Sequence, residues 1–493
     1  MGATEPLLNV AADHGRLSSL GALRETCAAR LTAGERLLAL FGQALAAGQV
    51  RVTAVLQTVD GELDIVRADA AQGQSYPSLT PDHPCAHLFE RELWEQTGVL
   101  PDGHPWLKPV RYEGGRQQRM DQHAFFSVRG QDVHEVGVGP IHASVIEPGH
   151  FRFMCLGETV HHLEIQLGYQ HRGVESLLLA RPALALTPLV ETIAGDTSVA
   201  YAWAYCAALE SLTGTSVSPE VDLVRGVALE LERIAMHLVG LTGLATDIAF
   251  LQGGATYGRL RTAIINASMR ACGSRFGRGW LRPGGVRFGL DEARRGDLIE
   301  TLTAFSRDLH QVNDLTLSAR SVRSRFQGVG SISAATAADI GMVGFAARAS
   351  GVARDLRVDR PGRLHRDWPL ALRTEPAGDC WARLRLRMTE IDESLGWLGR
   401  VLSAADLDRP LAPATVAGPL LPGRLCVSLR EGWRGPVLQV YETAADAGLC
   451  HVKIQDPSLN NWFGLALALR DNQISDFPLC NKSFDLSYCG NDL

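Results

Sequence analysis

Apolar and polar positions along the chain change rhythm several times, and each change marks an element. An Ala/Leu/Arg pattern with helical spacing runs from Leu20 to Leu45, and a strand-like run follows from Val50 to Leu56. A turn at Gly61 leads to a second short strand, Glu62 to Val66. A Pro/His loop (Tyr76 to Pro84), a helix (His87 to Gln96) and an irregular stretch (Gly98 to Tyr112) complete a small α/β unit. Polar residues dominate from Gly114 to Gln131, as in a linker or surface crossing. Beyond Val133 the pattern alternates, predicting strands in Val136–Val145 and His150–Leu167 around the turn Glu147-Pro148-Gly149. Helical spacing then predicts helices over 172–181, 187–212, 219–250, 254–272, 291–322 and 377–402. The helix at 219 has the clearest start, with Ser218 as N-cap, Pro219 at its first position, and Glu220 and Asp222 in its first turn. A β-rich segment (Val416 to Val452), a helix near Trp462 to Arg470 and an extended tail close the chain. The fold class is therefore α+β. A small N-terminal α/β domain (1–130) precedes a mainly helical domain with β structure at both ends (131–493).

Composition narrows the function classes. The 493 residues are 46% hydrophobic and 21% charged, so the chain has enough apolar surface to fold and is not disordered. Lys+Arg 48 against Asp+Glu 54 gives −6, which argues against a nucleic-acid partner. The most apolar stretch, Ile234 to Tyr257, carries His237, Asp247 and four glycines, so it reads as a buried helix and not a membrane span. The N-terminus lacks a basic segment followed by an apolar run, so a cytoplasmic location is expected. None of the ten cysteines forms a C-x-x-C, which excludes a local zinc ribbon or ferredoxin-type loop and suggests buried, reduced thiols.

Two stretches of the first unit, Glu90-Arg-Glu-Leu-Trp-Glu-Gln-Thr-Gly98 and Gly103-His-Pro-Trp-Leu-Lys-Pro-Val110, form a charged amphipathic helix and a proline-fixed segment. Lys108 and Arg111 are expected to point outward. The pair of stretches closely resembles the signature of the C subunit of respiratory complex I, a docking element without a redox centre. Further on, Gly139-Pro-Ile-His-Ala-Ser-Val-Ile-Glu-Pro-Gly-His-Phe-Arg-Phe153 and Gly168-Tyr-Gln-His-Arg-Gly-Val-Glu175 place His142, His150 and Glu147 around a tight turn. These stretches resemble the complex I D subunit and the large subunit of group 4 membrane-bound nickel–iron hydrogenases, of the formate hydrogenlyase and hydrogenase-4 type. The resemblance continues in Leu231 to His237, Arg282 to Val286, Arg348 to Arg357 and Trp462 to Pro478.

That resemblance implies a metal site built from two C-x-x-C pairs, whose soft thiolates hold nickel and bridge to iron. The family's cysteine positions fall here on Ala194, Thr197, Ser487 and Gly490. Ala and Gly offer no donor, and Ser and Thr hydroxyls do not ionise near neutral pH, unlike a thiol with a pKa of roughly 8.5. Cys489 is one residue out of register and Cys206 lies nine positions past Thr197, so neither replaces a ligand. The expectation is a chain that binds no metal or other cofactor, with iron–sulfur clusters in partner subunits. The D subunit of complex I instead uses a histidine and a tyrosine to protonate quinone. Those positions fall near Ile146 and Gly195, leaving His142, His150, Asp196 and Tyr201 as substitutes in a possible quinone and proton pocket.

Glu175, Arg172, Arg233 and His237 occupy the region that the family places beside the membrane arm, with coupling and structural salt-bridging as the two readings. His83-Pro-Cys-Ala-His87 reads as a surface loop, and Arg275, Arg278, Arg282 and Arg287 as a basic loop able to dock an acidic partner. The resemblance implies a peripheral subunit on the cytoplasmic face of the inner (plasma) membrane. Its partners would be an iron–sulfur small subunit, a ferredoxin-like subunit and antiporter-like membrane subunits. The leading expectation is a non-metal subunit that couples electron transfer to ion translocation. The alternatives are a quinone-reactive subunit of an NADH-quinone oxidoreductase-type complex and, last, an active hydrogenase.

Overall fold

The computed structural model describes residues 6–113, 120–128, 130, 132–143, 146–404, 407, 411 and 414–493. Most of the polar 114–131 crossing is among them, but residues 114–119, 129 and 131 lie outside, as do residues 144 and 145 of the strand expected over 136–145. The architecture is α+β.

The expected helix Leu20–Leu45 is two elements, a helix Leu20–Thr32 and a strand Arg36–Ala44. Gly34, with φ of +90°, ends the helix where a side chain would be strained. The apolar run Leu37–Phe41 that follows is buried on both faces of a sheet, which removes the period-two signature of a strand. This strand pairs antiparallel with Gln49–Gln57, and that in turn with Leu63–Ala71. One face of the sheet packs Leu40, Val52 and Ala54 against Leu20 and Leu23 of the first helix and Phe89 and Leu93 of the helix His87–Thr97. The other face sets Ala39, Phe41, Val55 and Ile65 against Leu425, Val427, Leu438 and Val440 of a second sheet.

That second sheet runs in the order Leu7–Ala11, Arg424–Glu431, Pro436–Thr443, Leu449–Gln455, all antiparallel. The strand at the head of the chain thus pairs with residues more than four hundred positions away, Leu7 opposite Ser428. Its hydrogen bonds cross the boundary expected near residue 130. A third antiparallel sheet joins Val133–Val138, His150–Leu156 and Thr159–Gln166.

The helices Pro219–Asp247, Leu251–Cys272, Glu292–Ser318 and Cys380–Ala404 build one large core with this third sheet. Ser218 Oγ accepts from Val221 N at the start of the first of these, as its sequence predicts. The helix expected over 187–212 is interrupted: Thr187–Val190 and Ser198–Leu212 are helical, with a loop between them. The tail is not extended. It forms the short helices Phe477–Phe484 and Tyr488–Asp492.

Lys108 and Arg111 are not outward-facing. Lys108 Nζ pairs with Glu164 at 2.7 Å, and Arg111 is ion-paired with Glu92. The counter-charges come from other segments, so each cation is buried with a carboxylate partner. Among the described residues no helix is long and apolar enough to cross a membrane. Seven of the ten cysteines are buried, and Cys450 is exposed.

Candidate functional site

Three separate segments converge: the loop 191–197, the turn before His150, and the C-terminal residues from Asp485. Arg172 ties two of them, donating to Thr192 O (2.8 Å), Ile193 O (2.9 Å) and Cys489 O (3.0 Å). The turn joins through Glu147, whose Oε2 accepts from Tyr488 N at 3.2 Å. Gly149 belongs to the same contact, because a Cβ there would fall 2.7 Å from the Tyr488 ring. Ala194, Thr197, Ser487 and Gly490 are all buried in this convergence.

What fills the space is a polar network drawn from elsewhere in the chain. The tight hairpin turn Gly432-Trp-Arg-Gly435 brings Trp433 and Arg434. Trp433 Nε1 donates to Asp196 O at 3.0 Å, and Arg434 grips the Asp196 carboxylate with both Nη atoms at 2.6 and 2.7 Å. Partial burial works to raise the Asp196 carboxyl, but the charge and hydrogen bonds of Arg434 outweigh it and hold the acid below its ordinary value. Thr197 Oγ1 donates to Asp196 Oδ1 at 3.1 Å and accepts from Arg434 at 3.3 Å. Tyr201 OH donates to Asp456 Oδ2 at 2.5 Å. Burial first, then the neighbouring Asp456, push the Tyr201 phenol well above its ordinary value, and burial raises Asp456.

Asp456 also caps the helix Pro457–Ala468, accepting from Ser458 N at 2.8 Å. Ser458 Oγ in turn accepts from Ser487 N at 2.9 Å. Ser487 is itself an N-cap, its Oγ accepting from Gly490 N at 2.9 Å. A Cβ on Gly490 would overlap Asp456 Oδ2 and lie 2.8 Å from Ser487 Oγ. Two of the four positions thus offer no side-chain donor and the hydroxyls of the other two are engaged, so this set does not fit nickel. Among the described residues no group of three or more His, Cys, Asp or Glu side chains is arranged to hold a metal ion.

The candidate quinone and proton residues are not brought into one relay. His142 donates from Nε2 to Gly149 O (2.7 Å) and His150 from Nδ1 to Gly139 O (3.1 Å), closing their own turn. Among the described residues no hydrogen bond links either histidine to Asp196 or Tyr201, which are engaged by Arg434 and Asp456.

Glu175, Arg172, Arg233 and His237 all carry bonds that hold segments together. Glu175 Oε1 accepts from Ile454 N (2.9 Å) and pairs with Lys453 (3.1 Å). Arg233 bridges Glu230 (3.1 Å) and the carbonyls of Glu431 and Gly432 (2.7 and 3.2 Å). His237 Nε2 meets Glu390 at 2.9 Å, and burial lowers the imidazole to about 4 despite that partner. Arg348 joins the same network through Glu390 (2.9 Å) and Glu431 (2.8 Å).

Sequence reasoning missed Arg434, Asp456 and Glu232. Glycines on both sides of Trp433-Arg434 and the Asp456-Pro457 pair are turn and N-cap signals that mark the first two. Glu232 sits mid-helix without a local signal. It receives Val199 N (2.7 Å) and Ala200 N (3.3 Å) at the start of the helix Ser198–Leu212, and burial raises it to about 8.

Known proteins share this framework. The profile of "Respiratory-chain NADH dehydrogenase, 49 Kd subunit" matches residues 247–412, and that of "Respiratory-chain NADH dehydrogenase, 30 Kd subunit" matches 18–117. The chain is 29% identical over 454 residues to formate hydrogenlyase subunit 5 of Escherichia coli (87% of this chain, 78% of that protein). It is 30% identical over 356 residues to the carbon monoxide-induced hydrogenase of Rhodospirillum rubrum (72% of this chain, 97% of that protein). It is also 27% identical over 444 residues to hydrogenase-4 component G of Escherichia coli, covering 86% of this chain and 76% of that protein. In fold it resembles a chain of the membrane-bound sulfane sulfur reductase, an archaeal respiratory membrane complex, with a TM-score of 0.68 at 22% identity. That match covers 73% of this chain and 99% of the other.

Proposed function

The chain belongs to the family that unites the 49-kDa subunit of respiratory complex I with the large subunits of membrane-bound hydrogenases, and from that premise we propose that it is a non-metal coupling subunit. It is the hydrogenase-large-subunit-like part of a membrane-bound, complex I-like oxidoreductase, linking electron transfer to ion translocation without a nickel–iron centre of its own. The observation that carries this reading is the occupancy of the four family ligand positions. Ala194 and Gly490 present no donor, Thr197 is bonded between Asp196 and Arg434, and Ser487 caps the last helix. The Arg434–Asp196 ion pair and the Tyr201–Asp456 hydrogen bond lie beside those positions.

The redox centres belong to partners on this reading: an iron–sulfur small subunit and a ferredoxin-like subunit, with antiporter-like subunits in the membrane. The chain sits peripherally on the cytoplasmic face. Its own contribution is a rigid, charge-laced body. The buried network of Arg233, Arg348, Glu390, Glu431 and His237 joins the long helices to the sheet that carries Arg434, so a shift in one is felt by the other.

The test is metal analysis of the purified intact complex together with hydrogen-dependent dye reduction. The expected result is no stoichiometric nickel and no dye reduction under hydrogen. One nickel per chain would overturn the reading.

A further inference from the structure

A cavity of about 730 Å³ lies between the two halves of the molecule. The helix His87–Thr97 and the strap from Pro105 to Tyr112 form one side, and the strand Thr159–Gln166 and the helix Pro457–Ala468 form the other. Its volume falls within the range of small-molecule sites, about 300–1,000 Å³. His87, expected in a surface loop, is part of its wall.

The apolar lining sets the rings of Trp106, Phe126, Trp462 and Phe463 among aliphatic side chains such as Leu88 and Ile165. Pro81, Pro84, Pro105 and Pro109 fix the backbone around it, so the shape is preformed. Three of the charges within the wall, those of Lys108, Glu164 and Arg91, are already committed. Lys108 pairs with Glu164 at 2.7 Å, and Glu164 also accepts from Phe126 N at 2.7 Å. Arg91 donates to the carbonyls of Lys108 (2.5 Å) and Pro109 (2.9 Å).

Two wall residues carry a buried polar atom without a partner: Nε1 of Trp462, a residue 4% exposed, and Nδ1 of His87. An indole N–H can only donate, and a buried donor without an acceptor is costly. The His87 ring packs on Phe463 at 5.0 Å and stacks on His104 at 5.4 Å, and burial keeps it neutral. Arg470, also lining the cavity, is exposed and makes no ion pair among the described residues.

We infer that this cavity binds a flat aromatic molecule carrying an oxygen acceptor as a substituent, a ketone carbonyl or a carboxylate, which takes the Trp462 N–H. Ring faces favour a flat aromatic body, and the unmade indole bond calls for the oxygen. The carbonyl and the carboxylate share this recognition and differ in what Arg470 adds. The site is separate from the convergence at Ser487 and Gly490, because the Trp462 ring stands edge-on to Tyr488 at 4.8 Å between them.

The experiment is calorimetric titration of the full chain with 1-acetonaphthone, 1-naphthoate and cyclohexanecarboxylate. Both naphthalene compounds are expected to bind, the anion more tightly if Arg470 contributes, and cyclohexanecarboxylate is not. Trp462→Phe keeps the ring and removes the donor, and should weaken binding about tenfold, the value of one hydrogen bond of roughly 1.4 kcal/mol. Ala466→Leu narrows the cavity and should abolish binding, with Leu88→Trp as a second filling variant should the first fail to fold. Failure of both naphthalenes to bind overturns the inference. So does equal binding of cyclohexanecarboxylate, or an affinity unmoved by Trp462→Phe and by cavity filling.

Discussion

Gly490→Ala adds one methyl group at the most crowded point of the candidate site. The new Cβ would overlap Asp456 Oδ2 and stand 2.7 Å from its Cγ. Asp456 has little freedom to retreat, since one oxygen caps Ser458 N at 2.8 Å and the other holds Tyr201 OH at 2.5 Å. Overpacking of this kind costs about 1–3 kcal/mol. Displacing the carboxyl forfeits the tyrosine bond, about 1.5–3 kcal/mol for a hydrogen bond to a charged group. Alanine's advantage over glycine within a helix offsets only about 0.5–1 kcal/mol. The net loss should therefore be on the order of 2–5 kcal/mol. It is read as a lowered urea midpoint followed by tryptophan fluorescence. The same substitution made with Asp456→Ala should cost much less, because the obstructing carboxyl is gone. A Gly490→Ala variant within about 0.5 kcal/mol of the parent would refute the reasoning. A cysteine at this position meets the same wall at its Cβ, so it too requires moving Asp456 first.

Two further perturbations test the rest of the framework. Glu92 is fully buried and bonded to Arg111 and, at 2.5 Å, to Lys453, so Glu92→Met takes the close carboxylate from Arg111, leaves Lys453 with Glu175 alone, and should cost about 3 kcal/mol. In equilibrium unfolding Lys453→Met should cost less in the Glu92→Met background than in the parent, and equal costs in the two backgrounds would count against the pairing. Glu232, raised by burial to about 8 from 4.5, keeps a proton in the folded state that the unfolded chain releases. Its contribution to stability is therefore present at low pH and declines as pH rises from about 5 to 8. Glu232→Gln should remove that decline, so the melting-temperature gain of the variant over the parent grows with pH. A difference that stays constant from pH 5 to pH 8 would speak against it.

How far the sequence speaks depends on the range of the interaction. The N-terminus of the helix at Pro219 is local chemistry, Ser218 capping Val221, and it is readable within four consecutive residues. Arg36–Ala44 is not, because a strand buried on both faces shows the same unbroken apolar run as a buried helix, and only Gly34 marks the break. The edge strand Leu7–Ala11 is set by a partner at 424–431, and the burial of Lys108 and Arg111 by Glu164 and Glu92. None of these partners can be identified from neighbouring residues alone.

The candidate site divides in the same way. The four positions expected for the family's ligands are placed by the motifs around them, whereas the groups that fill the space come from the hairpin at Trp433-Arg434 and the cap at Asp456. The substitutions and the network depend on each other. Only a residue without a Cβ at 490 leaves room for the Asp456 carboxyl that Tyr201 binds, and Thr197 supplies a hydroxyl between Asp196 and Arg434. Ser487 uses its oxygen to start the final helix and so fixes Gly490 against Asp456. A cysteine at 197, 487 or 490 therefore removes a bond or creates an overlap without completing a ligand set. On that reasoning the site is held in its present form by packing and hydrogen bonding, independently of the cysteines it lacks.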